Sequence, residues 1–157
     1  MENKLSLYEG VINKQFTNLA FLSPLMQKRI IITAAISGIL SIITGAFGAH
    51  GLKALLSEEN MNVWHTAVQY QFYHTLALLF LSTLAQAKQS LVIPAYYCFL
   101  TGILLFSGSL YILATREVHH LSWTSILGPI TPIGGLFFIG GWILLLFSGL
   151  KMKHARV

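Results

Sequence analysis

Two histidines, two glutamines, two tyrosines and a tryptophan fall within the run WHTAVQYQFYH, Trp64 to His74. Imidazoles can ligate a metal or exchange protons, and amides and phenols can orient a ligand through hydrogen bonds. Three further stretches carry polar groups among small residues: GAFGAHG with His50, FSGSLY with Ser107 and Ser109, and GPITPIGG with Thr131. Together they define a candidate ligand-binding set of His50, Gln69, His74, Ser107, Ser109 and Thr131.

Several chemistries can be weighed on spacing alone. His65 and His74 are nine residues apart, which at about 100° per residue puts them on opposite faces of a helix. They cannot grip one ion, the chain has no Asp, and its single cysteine, Cys98, lies inside an apolar run, so no metal site is expected. There is no Ser-His-Asp set, no paired carboxylate and no phosphate-binding glycine loop, so neither an enzyme nor a cofactor is expected. Recognition of an anionic lipid or small anion is the first positive reading: Lys53 and Arg116 supply charge, and Ser107, Ser109 and Thr131 supply donors. The second is structural. His74 bonding to Ser107, Ser109 or a carbonyl beside the glycines, and Gln69 bridging to His50, would tie helices together at about 0.5–2 kcal/mol each. Trp64, Tyr111 and Trp123 read as interfacial anchors.

The elements that position these groups are apolar helices. Of 157 residues, 55% are hydrophobic and only 10% charged, the balance of an integral membrane protein. The net charge of +5 does not imply nucleic acid, because most Lys and Arg flank apolar runs. The expected fold is all-α, a bundle of four transmembrane helices over residues 30–49, 67–84, 92–113 and 132–150. Residues 27–157 form this domain, and residues 1–26 an extension that is either a tail or an interfacial helix ended by Pro24. A signal peptide over the first span is the weaker alternative, since three more spans follow.

Local signals set the boundaries. Ser57 with Glu58 and Glu59 reads as the start of the second helix, Pro94 as a first-turn proline, and Thr131 with Pro132 as the start of the fourth. Ser37, Ser41, Gly45 and Ala49, and likewise Gly134, Gly141 and Ser148, form small-residue seams for close packing. With both termini cytoplasmic, Lys4, Lys14, Lys28, Arg29, Lys88, Lys151, Lys153 and Arg156 lie inside, and only Lys53 and Arg116 outside. All four polar stretches then fall at the outer end. An oligomeric transporter remains the alternative function, with the seams as its subunit contacts, because four short spans rarely enclose a pore alone.

The run GAFGAHGLK, then WHTAVQYQFYH, FSGSLY and GPITPIGG, resembles the YgdD/YwdK family of small bacterial inner-membrane proteins over about residues 27–150. The resemblance implies a four-helix integral protein of the plasma membrane and no defined activity. Residues before Met26 depart from the family pattern.

Overall fold

The computed structural model describes residues 23–84, 89–119 and 127–151, and every regular element among them is helical. Helix α1, Pro24–Phe47, opens with a proline at its first position, and the Ser23 hydroxyl accepts from the Met26 N–H at 3.2 Å. Pro24 thus starts the first apolar helix ahead of Ile30; any helix in residues 1–22 lies outside the described residues. A π-helical segment, Gly48–Leu52, prolongs α1.

Helix α2, Glu58–Thr83, starts as its sequence predicts. Ser57 Oγ accepts from the Asn60 N–H at 3.2 Å, and Glu58 and Glu59 occupy the first turn. The third long segment is compound: α3, Gln89–Gly102, a π-helical segment, Ile103–Ser107, and α4, Gly108–Ala114. Because α3 begins at Gln89, Pro94 lies inside it rather than in its first turn.

Helix α5, Leu127–Leu150, also starts before its predicted boundary. Thr131 is not a cap. Its hydroxyl donates back to the Leu127 carbonyl at 3.3 Å, as a threonine inside a helix does. Pro129 falls in the first turn, where no N–H is needed, and Pro132 forfeits only the bond to the Gly128 carbonyl. Lys88, His120, Trp123 and the residues beyond Lys151 lie outside the described residues.

Cross-helix pairs give the topology. Thr44 meets Trp64, Ser41 meets Val68, and Ser37 meets Gln71 and Thr75, so α1 and α2 are antiparallel. Thr33 meets Tyr96 and Thr44 meets Tyr111, so the third segment runs parallel to α1. Ser109 meets Thr131, and Gly141 lies against Phe99, so α5 runs antiparallel to the third segment. The ends near Gly48, Ser57, Ala114 and Leu127 therefore share one end of the bundle, the upper end below. α2 packs on α1 and α4, while α3 packs chiefly on α5.

The main apolar core, around Ile30, Ala34, Leu78, Leu81, Val92 and Phe99, fills the lower and middle bundle; Leu52, Trp64 and Ala114 form a smaller upper one. Apart from the exposed Ala49, both small-residue seams face the inside of the chain. Ser37 and Ser41 are buried against α2, and Gly134 lets α5 touch the backbone at Phe106. The outer surface is apolar: Ile42, Leu136 and Leu146 are each 60% exposed or more.

Among the described residues, three helical segments, Pro24–Leu52, Ser90–Ala114 and Leu127–Leu150, are long and apolar enough to cross a membrane. α2 has 26 residues but carries too many polar groups to join that set on composition.

Candidate functional site

The buried residues of α2 form one stripe: Trp64, Ala67, Gln71, His74, Thr75, Leu78 and Leu81. Its polar members open two separate centres on the two flanks of that stripe.

The first lies between α1, α2 and α4. Gln71, 5% exposed, donates from Nε2 to the Ser37 carbonyl at 3.1 Å and accepts at Oε1 from the Tyr111 hydroxyl at 2.8 Å. One side chain thus links three helices. Proton counting orders the rest. The Thr75 hydroxyl donates to the Gln71 carbonyl at 2.8 Å, so in its 2.7 Å contact with Ser37 the serine donates. The Tyr111 proton is spent on Gln71, so in its 3.0 Å contact with Thr44 only the threonine could donate, and the Leu40 and Ser41 carbonyls at 3.0 and 3.2 Å compete for that one proton. Above this, the Trp64 indole N–H donates to the Thr44 carbonyl at 3.0 Å, and its ring lies 4.6 Å from that of Tyr111.

The second centre lies between α2, α3 and α5. His74 stacks on Phe138 with ring centres 3.4 Å apart and planes within 7°. Its Nδ1 is 2.7 Å from the Tyr70 carbonyl, and its Nε2 accepts from the Trp142 indole N–H at 3.3 Å. A carbonyl only accepts and an indole N–H only donates, so both bonds form together solely in the neutral Nδ1–H tautomer. Phe99 and Trp142 close around the imidazole with centroids 5.6 and 6.2 Å away.

The six residues singled out by sequence do not form one constellation. Ser109 and Thr131 meet at 2.7 Å between α4 and α5. His74 is buried in the aromatic centre, whereas His50 and Gln69 are exposed. Ser107, 1% exposed, has a hydroxyl with no partner among the described residues, as has Ser148. His65, Gln69 and Tyr73 do share one exposed face, and His74 lies on the other side. Trp64 is corrected from a surface anchor to a core residue, 6% exposed, because Gly48 leaves the space its indole fills. Gln71, Thr44, Thr75 and Trp142 were not anticipated. Gln71 was recoverable from its phase, since it shares a helical face with Trp64, Ala67 and Leu78. Among the described residues, no three His, Cys, Asp or Glu side chains converge as a metal would require.

A crevice of about 450 Å³ lies between α1 and the third segment, with Gln71 of α2 at its back. Ile36, Ser37 and Leu40 form one wall, and Leu100, Ile103, Leu104 and Gly108 the other. Two hydrogen bonds of 3.0 Å span its ends, Thr33 to Tyr96 below and Thr44 to Tyr111 above. Among the described residues its lining is overwhelmingly apolar, without a charged side chain.

Helices that turn Ile, Leu and Phe outward and close most of their buried polar side chains on one another are built for lipid, and the chain is an integral membrane protein. A family model described as "Protein of unknown function (DUF423)" matches residues 44–135. UPF0382 membrane protein SH2409 of Staphylococcus haemolyticus is 45% identical over 125 residues, covering 80% of this chain and 98% of that protein. UPF0382 membrane protein YwdK of Bacillus subtilis is 43% identical over 127 residues, with 80% and 98% covered. The chain belongs to this family, the one its motifs resemble. No solved structure matches it.

Proposed function

We propose that the protein is a non-enzymatic lipid-binding component of the bacterial plasma membrane, which holds a membrane-dissolved molecule in the crevice between its first and third spans. α2 is the second of four spans, and both termini are cytoplasmic. The crevice carries this reading: α1 packs along α2 but has no comparable packing on α3 or α4, and the gap is bridged by paired hydroxyls at its ends. The remaining polar residues act as clamps between helices.

Full-length protein extracted in lipid nanodiscs is expected to retain a stoichiometric lipid-soluble molecule that Leu104→Trp, on the crevice rim, displaces. An identical retained complement in both proteins, by native mass spectrometry, rejects the binding role. Topology is tested in a Cys98→Ser background. A cysteine at Lys53 is expected to react with an impermeant maleimide in intact cells, and one at Lys151 only after permeabilisation. Labelling of both from one side refutes four spans, and the reverse pattern refutes the orientation.

Charge placement speaks against an anionic headgroup inside the crevice, since among the described residues no Lys or Arg lines it; Arg116 is instead 4.0 Å from Glu117 at the upper end. An oligomeric transporter would have to assemble through another face, because Ser37, Ser41, Gly134 and Gly141 already serve contacts within the chain.

A further inference from the structure

The polar floor of the crevice narrows what can occupy it. Gln71 is the centre of that floor and has four hydrogen-bonding positions, two N–H donors and two carbonyl lone pairs. The Ser37 carbonyl takes one donor and the Tyr111 hydroxyl fills one lone pair. One amide N–H stays unspent among the described residues, on a side chain only 5% exposed that lines an otherwise apolar space. A donor at such a place is costly in hydrocarbon unless something accepts from it.

Depth then decides the ligand class. Gln71 donates to the Ser37 carbonyl, and Ser37 stands at the middle of the membrane-capable segment Pro24–Leu52, which puts Gln71 near mid-span. The hydrocarbon core is about 30 Å thick, and the ester oxygens of a phospholipid sit at its borders, so an acyl chain brings Gln71 no acceptor. A molecule that does so must be uncharged, dissolved in the membrane interior, and carry an oxygen acceptor on an apolar body. It must also tolerate the phenol of Tyr111 on the crevice wall. We propose that the crevice takes a lipid quinone, with a ring carbonyl accepting from Gln71 Nε2 and the tail leaving between Leu40 and Leu104. This rests on the crevice being a binding site, and it adds the identity of the occupant.

The test uses the full-length protein in nanodiscs and two probes, a decyl-substituted benzoquinone and decylbenzene. Binding is read as the rise in thermal midpoint with probe concentration. The quinone is expected to bind at least tenfold more tightly than decylbenzene. Gln71→Leu is expected to remove that difference, and Leu104→Trp to abolish binding of both probes. Leu104 is 65% exposed and outside the hydrogen-bonded network, so its variant keeps the test valid if Gln71→Leu does not fold. Equal affinities for the two probes overturn the quinone assignment and leave the lipid-binding role standing. Binding of neither probe, or undiminished quinone binding by Leu104→Trp, overturns both.

Discussion

Gly134→Ala is expected to destabilise the bundle by about 3 kcal/mol or more, at the upper end of what overpacking costs. A Cβ at Gly134 would run into the backbone nitrogen and Cα of Phe106, and backbone cannot rotate away as a side chain can. The collision falls where α5 crosses the π-helical segment, so relief requires moving α5 off the third span and exposing Phe106 and Phe138. Unfolding titrations in mixed micelles measure the effect. Gly149→Ala is the control, since nothing lies within 4 Å of its added Cβ. Comparable stability of the two variants would show that α5 does not sit as close to Phe106 as described.

The second large effect is expected at His74. Replacement by Ala removes the ring stacked on Phe138, empties space between α2, α3 and α5, and strands the Trp142 indole N–H, for about 3 kcal/mol. His74→Phe keeps the stack and loses two hydrogen bonds, the Nδ1–H donated to the Tyr70 carbonyl and the Nε2 acceptor for Trp142, so about 2 kcal/mol is expected. Adding Trp142→Phe to His74→Phe removes the stranded donor and should recover part of that loss. The same unfolding measurement ranks the three variants. If His74→Phe is as damaging as His74→Ala, the hydrogen bonds rather than the stack hold this junction.

These residues also show what sequence reasoning can reach. Apolar length and lysine placement made the membrane bundle legible, and the Ser57 cap was read correctly because capping is a local event. The separation of His74 from His65 followed from helical phase alone. What failed was partner assignment. Gln69 drew notice beside Gln71, yet two positions along a helix is about 200°, and only Gln71 faces the bundle. Tyr111 and Trp64 resemble interfacial anchors because their amphipathic rings suit that depth, but the space beside Gly48 and the acceptors on Gln71 and Thr44 are tertiary facts. Thr131 and Pro132 look like a helix start by every local rule. The helix nevertheless begins at Leu127, because a threonine that back-bonds and a proline near the first turn cost little.

The π-helical segment Ile103–Ser107 makes the third span two helices spliced out of step. Its lower part, with Phe99, answers to α5, while its upper part, with Tyr111, answers to Gln71 and Thr44. The lower half thus rests chiefly on α5, while the upper half is shared between α5, through Ser109 and Thr131, and the first two helices, through Tyr111. A shift of one residue in hydrogen-bond register at the splice would swing Tyr111 by about 100°. Both of its clasps, to Gln71 and to Thr44, would then release together with the Ser109–Thr131 contact, while Phe99 stayed seated against α5. The splice therefore lets one span carry two rotational settings, one that seats Phe99 on α5 and one that aims Tyr111 at the upper lip of the crevice.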